Sequence, residues 1–200
     1  KKKKNTIVGS AAGDALTTGS QNVVIGRGAL GAEDTTGKVV AVGDQALNAQ
    51  NASADSYNVA VGYNAGLSVS TGVQNTLIGG LVGDALTTGE NNTALGFDAL
   101  GTNQTGDRNT AIGANALATS NAADNNGDNV AVGYNTGASI TTGTQNVLLG
   151  NYAGDGMQVG QQNIAIGSFA LSADDAGDYS VAIGTFALSA QNAGSDGVDP

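Results

Sequence analysis

Few side chains in these 200 residues could do chemistry. There is no histidine and no cysteine, which removes the commonest general bases, nucleophiles and transition-metal ligands. Carboxylates remain. Glu33–Asp34 and Asp174–Asp175 are adjacent acidic pairs, and glycoside hydrolysis uses two carboxyls flanking one bond. Both pairs sit among turn residues, where they read as a solvated, self-repelling surface. DNNGD at Asp124–Asp128 has oxygens enough for calcium but reads as a plain loop. GGLVGD at Gly79–Asp84 has part of a calcium-binding nonapeptide, once and at the wrong spacing. No glycine run leads from a strand into a helix, so no phosphate cradle is expected. No catalytic residue, cofactor site or metal site is assigned, and the chain is not expected to be an enzyme.

Exposed rings are the other chemistry available. Tyr63 and Tyr134 occupy equivalent places in a long repeat, and Phe169 and Phe186 neighbouring ones. Such rings either stack on sugars or a partner, or are buried at a subunit seam or coil edge. Asn51, Asn91 and Asn103 head glycosylation sequons, which matter only in a glycosylating host. The net charge is −10, and beyond Lys1–Lys4 the only cations are Arg27, Lys38 and Arg108. A nucleic-acid partner needs a basic stripe, and none exists. No run approaches the ~20 apolar residues of a membrane span.

The elements that would carry these groups follow from one recurring phrase, Asn-x-x-(Val/Ile/Leu)-Gly-x-x-Ala. Its glycine falls at Gly9, Gly26, Gly43, Gly62, Gly79, Gly96, Gly113, Gly133, Gly150, Gly167 and Gly184. Eight of the ten steps are 17 residues; the third is 19 and the seventh 20. Such a period describes stacked units that each touch mainly their neighbours. Seventeen residues suit two short strands and two turns. The expected fold is therefore all-β: a parallel β-solenoid (β-roll or β-helix) of eleven coils. Residues 1–4 are read as a basic tail or an added remnant, and residues 5–200 as a single repeat domain.

Within a unit, the residue before the glycine is always aliphatic: Val8, Ile25, Val42, Val61, Ile78, Leu95, Ile112, Val132, Leu149, Ile166 and Ile183. With the residue three before, it is expected to form the core face of the strand. The residue two before is apolar as well, from Ile7 to Ala182. A strand apolar on both faces is covered on both, which predicts an oligomer. Four before the glycine stand Asn5, Asn22, Asn58, Asn75, Asn92, Asn109, Asn129, Asn146 and Asn163, with Val39 and Ser180 the exceptions. They are expected to stack as a hydrogen-bonded structural ladder. A second glycine, as at Gly19, Gly72, Gly89 and Gly106, marks the opposite turn.

Four after the glycine the residue runs Gly, Leu, Leu, Gly and then repeats, giving a superrepeat of about 70 residues. The long steps fall at matching places, so Asn48–Tyr57 and Ala118–Asp128 are expected to bulge from one edge, with Ser189–Asp199 a third copy.

NTAIG (Asn109–Gly113), NVAVG (Asn58–Gly62) and NIAIG (Asn163–Gly167) resemble the head repeats of trimeric autotransporter adhesins. TGDRNTAIGANAL, from Thr105 to Leu117, is similar to repeat arrays of phage tail-fibre proteins. The resemblance covers nearly the whole chain and implies a homotrimeric left-handed β-roll used in adhesion or as a fibre shaft. The adhesin heads repeat at a shorter period than this chain does. The expected function is thus a structural or adhesive fibre segment, extracellular, on a virion or bacterial surface. Its expected partners are further copies of itself and a host surface glycan or protein, with no nucleic acid and no membrane insertion. A ligand-binding adhesin module using the insertion loops is the second reading. An ice-binding solenoid and a polysaccharide-degrading enzyme stand behind it.

Overall fold

The computed structural model describes residues 4–32, 35–121 and 127–191. Eleven strands of three residues recur at the repeat period: Thr6–Val8 (β1), Val23–Ile25 (β2), Val40–Val42 (β3), Val59–Val61 (β4), Thr76–Ile78 (β5), Thr93–Leu95 (β6), Thr110–Ile112 (β7), Val130–Val132 (β8), Val147–Leu149 (β9), Ile164–Ile166 (β10) and Val181–Ile183 (β11). They pair in chain order into a single parallel sheet. The register matches equivalent residues, as in Ala41↔Ala60 and Ile78↔Leu95. β-Branched residues at the strand ends favour the extended backbone. With rungs ~4.8 Å apart, eleven coils span roughly 50 Å.

Each coil has one strand, not the two expected. Past the glycine, the residues two and four further on adopt left-handed backbone, as do Gln45 (φ 55°), Leu47 (51°), Asp98 (55°) and Leu100 (55°). A third left-handed residue lies five before the next glycine, as at Lys38 (62°) and Arg108 (56°). A chain that reverses its φ so often cannot stay extended. It turns instead, yet still bonds to the next coil: Leu47 N–H donates to Ala65 C=O at 3.0 Å and Leu100 N–H to Ala116 C=O at 3.1 Å.

The central glycines are required twice over. Gly43 and Gly62 have φ of 140° and 144°, and an added Cβ would fall under 3.0 Å from the carbonyl of the next coil's glycine. Gly72 and Gly89 are different. Their φ is ordinary, but a Cβ there would also meet the backbone of the next coil.

The core lies on the opposite face of the strand from the one expected. Val8, Ile25, Val42, Val61, Ile78, Leu95, Ile112, Val132, Leu149, Ile166 and Ile183 point outward and are half-buried or exposed. The middle residue of every strand from β2 to β11 is buried, as in Val24, Ala41, Ala94 and Leu148. Volume explains the reversal. The coil is narrow, and leucines four after the glycine (Leu47, Leu100, Leu117) already fill it, leaving room for a small centre, alanine in these coils and Val24 beside Leu30. Where position four is glycine, the space is filled otherwise. Leu77 reaches into the places left by both Gly66 and Gly83, and Leu148 into those of Gly137 and Gly154. The same exchange governs position seven. It is Val69, Leu86, Ile140 or Met157 beside a position-four glycine, and Gln50, Asn103, Ser120 or Asp174 beside a leucine, all buried. The superrepeat is thus a side-chain volume pattern inside the coil.

The asparagines line the same interior. Asn75, Asn92, Asn129, Asn146 and Asn163 are fully buried. Each side-chain oxygen accepts the N–H of the next rung: Asn92 N–H to Asn75 Oδ1 at 2.9 Å, Asn109 to Asn92 at 2.9 Å, Asn129 to Asn109 at 3.2 Å. The amide nitrogen donates across the coil to the second-glycine carbonyl, as from Asn92 to Gly106 at 2.9 Å and from Asn5 to Gly19 at 2.9 Å. Asn22 donates to Thr36 C=O at 3.1 Å, and Asn58 to Gly72 C=O at 2.8 Å. One residue type therefore satisfies backbone groups on two walls that would otherwise be buried without partners. At Val39 the ladder is interrupted. There Gln50 enters the core, donating to Ser56 Oγ at 2.5 Å and accepting from Asn58 Nδ2 at 3.0 Å.

Candidate functional site

The outward face of the sheet is the largest ordered surface the repeat builds. Alternation sends the first and third residue of each strand outward, giving twenty-two positions in eleven rungs, of which eighteen are Val, Ile or Leu and four are Thr (Thr6, Thr76, Thr93, Thr110). No charged residue interrupts this stripe. Within it Leu95 is 45% exposed and Ile183 67%. The apolar strand centres from Val24 to Ala182 needed no partner after all, since each is enclosed within the stacked coils. The apolar surface left uncovered is this outward face.

Two edges flank the stripe. The leading edge is the left-handed residue five before each glycine, including Lys38, Arg108, Gln145, Gln162 and Tyr179. The trailing edge is formed by the one or two residues after the glycine, including Arg27, Asp44, Tyr63 and Phe97. On it, four consecutive coils carry a column of rings. Tyr134 meets Tyr152 edge-on with centroids 5.4 Å apart, Tyr152 stacks on Phe169 at 4.9 Å, and Phe169 on Phe186 at 5.1 Å, the last two pairs within 6° of parallel. Tyr152 escapes a sequence search because it stands two after its glycine while Tyr134 stands one after; the column appears only when the coils are stacked. Tyr152, Phe169 and Phe186 use their faces on one another, so these three present mainly their edges and the outer face of Phe186. Burial raises the Tyr152 phenol above its ordinary value, and the Tyr134 hydroxyl adds to the shift.

The cations are tied across coils. Arg27 grips Asp44 with two bonds of 3.0 Å. Lys38 Nζ lies 2.7 Å from Asp55 Oδ2 and donates to Tyr57 Oη at 2.7 Å. Asp55 and Tyr57 hold the lysine charged, well above its ordinary range. Arg108 bonds Asp128 at 2.6 Å and lies 3.7 Å from Asp107. Lys38 and Arg108 occupy equivalent places, and each fastens the insertion that follows it to the preceding coil. In the first insertion Gln50, Ala52 and Ser56 turn inward, while Asn51, Ser53, Ala54, Asp55 and Tyr57 face solvent.

The acidic groups do not form a catalytic constellation among the described residues. Asp174 is buried and accepts Gly177 N–H at 2.9 Å, whereas Asp175 is half-buried, so the pair is not presented together. Glu33, Asp34, most of DNNGD and nearly all of Ser189–Asp199 lie outside the described residues. Burial raises Asp84, Asp98 and Asp155 above the ordinary carboxylate range, and for Asp84 the Asp98 charge adds to it. No three such groups gather as a metal site among the described residues. Of the sequon asparagines, Asn51 and Asn91 are exposed and Asn103 is fully buried. Among the described residues no helix is long and apolar enough to cross a membrane. Compared with protein-family models, curated proteins and solved structures, the chain gives no match.

Proposed function

We propose that this chain is a rigid shaft segment of an extracellular attachment fibre, on a virion or a bacterial surface, assembled as a homotrimer through its outward sheet face. One observation carries the reading: an uncharged, eleven-rung apolar stripe left open on a chain whose core is already complete. At ~50 Å by ~10 Å the stripe offers on the order of 500 Å² of footprint per chain. Three chains together cover on the order of 1,500 Å², or about 500 Å² for each pair of chains, so a stable interface needs the flanking edges as well as the stripe. The function is mechanical spacing and attachment, without turnover. Within this reading, contact with a host glycan or protein falls to the insertion edge, where Asn51, Ser53 and Ala54 are exposed and Asp55 and Tyr57 are fastened by Lys38.

Sedimentation equilibrium tests it. The wild-type mass should be three times 19.4 kDa, about 58 kDa. Ile112→Asp, on the outward face, should give a soluble, folded monomer. Ala111→Asp, one residue earlier and fully buried, should disrupt the coil itself by enclosing an unpaired carboxylate. A wild-type chain that stays a folded monomer at micromolar concentration refutes the reading.

A further inference from the structure

Resting on the trimeric reading, the two edges of the stripe identify which surfaces of neighbouring copies meet. We propose that the trimer closes edge to edge in register: the leading edge of each copy, ending in Tyr179, packs on the aromatic column of the next.

The width of the face supports threefold closure. Packed sheets lie ~10 Å apart, so each sheet of a three-sided prism sits ~5 Å from the common axis and needs a face ~17 Å wide. The three-residue strand alone is too narrow. From five before the glycine to one after it is six steps of chain, at most ~20 Å. The prism therefore closes only if the flanking residues form its corners.

Symmetry then fixes the pairing. Rotation about an axis along the rod keeps every coil at its own height, and it sets a leading edge against a trailing edge, never like against like. At the height of coil 11 the leading residue is Tyr179, 76% exposed and the most exposed large apolar side chain among the described residues. The trailing residue at that height is Phe186, 61% exposed. One coil below, Gln162 faces the height of Phe169. Its amide is already ordered, donating to Gln145 Oε1 at 3.0 Å, so its own oxygen is free to meet the electropositive ring edges that the stacked column presents. Towards the other end the rings are isolated, Tyr57 on the leading edge and Tyr63 and Phe97 on the trailing edge, and the leading-edge cations Lys38 and Arg108 are neutralised within their own copy by Asp55 and Asp128. Closure there brings no bare like charges together.

The absence of cysteine makes the seam directly testable by cross-linking. Tyr179→Cys combined with Phe186→Cys should, after complete oxidation, run as a covalent trimer on a non-reducing gel, and each single variant should run as a monomer. Gln162→Cys with Phe169→Cys is a second in-register pair, in case the first perturbs assembly. Tyr179→Cys with Tyr134→Cys, three coils out of level, should give no cross-link. The mass of each variant is measured before oxidation. A 58 kDa particle (three chains of 19.4 kDa) in which neither in-register pair cross-links, or in which the out-of-level pair does, overturns the seam and leaves the trimer standing. A covalent product that stops at dimer overturns threefold closure. A monomeric wild type overturns both.

Discussion

Replacing Leu77 with alanine tests the interior most severely. Leu77 is fully buried, and its two methyl groups occupy the places where Gly66 and Gly83 have no side chain. In cores generally, Leu→Ala costs ~2–5 kcal/mol, rising with the cavity that cannot collapse. Here collapse is blocked: two walls of the cavity are glycine backbone, held by coil-to-coil hydrogen bonds such as Gly66 N–H to Val82 C=O at 2.9 Å. The cost should therefore lie near the top of the range, ~4 kcal/mol per chain. For a chain of this size that is a fall in Tm of ~8–16 °C, readable by circular dichroism. The exchange pattern also specifies the remedy. Coils 6 and 7 combine alanine at the strand centre with leucine at position four, as Ala94 with Leu100 and Ala111 with Leu117. At Gly83 the three nearest neighbours of an added Cβ are all Leu77 atoms. Its φ of 54° is one that Leu100 adopts at 55°. Gly83→Leu should be harmful alone and should recover at least half the loss when added to Leu77→Ala. Such coupling between neighbours is measured by a double-mutant cycle. A loss below ~1 kcal/mol for the single variant, or strictly additive effects in the double, would refute the volume argument.

Three further outcomes are expected. Asn92→Ala removes the acceptor for Asn109 N–H and the donor to Gly106 C=O, so denaturation should show a loss of ~2–4 kcal/mol; no change would mean the ladder is incidental. Asp98→Asn relieves the buried Asp84–Asp98 repulsion. Carboxyls whose folded-state values are raised favour the fold when protonated and oppose it as pH rises through that range. The substitution should thus raise Tm at pH 7 and change it little at pH 3, and equal effects at both would be inconsistent with the charge argument. Deleting Ser53 and Ala54, both exposed, shortens the 19-residue step to 17 and should preserve the fold by circular dichroism; if the insertion edge carries recognition, attachment to target cells should be lost, and unchanged attachment would leave this stretch a plain spacer.

The period, the parallel sheet and the stacking of asparagines follow from spacing alone, because a residue that recurs every 17 positions must meet its own image. The choice of face did not follow. Hydropathy cannot separate the strand centre from its ends when both are apolar, and the larger residues, such as Ile112 beside Ala111, suggest a core where none lies. Size carries the information instead. Small residues at the centre are complementary to the leucines four after the glycine, and that correlation is visible at Ile7, Leu77 and Leu148, where a large centre accompanies a position-four glycine. The single strand per coil was hidden for another reason. Left-handed backbone at Gln45, Asp98 or Arg108 has no glycine to announce it, and is imposed by the coil closing on itself.

The reversal of faces alters what each position is for. A core of alanine, leucine and asparagine is closed within one chain, with the asparagine ladder bonded rung to rung, so a coil needs only its neighbours. The bulky aliphatics on the outside then add nothing to the core beyond their preference for extended backbone. Eighteen of them in one uncharged stripe are unfavourable exposed surface in a monomer and favourable only when covered. The polar asparagines inside and the apolar aliphatics outside thus invert the ordinary arrangement of a soluble protein. Under the proposed trimer the inversion is consistent: the unit of folding is the coil and the unit of solubility would be the assembly.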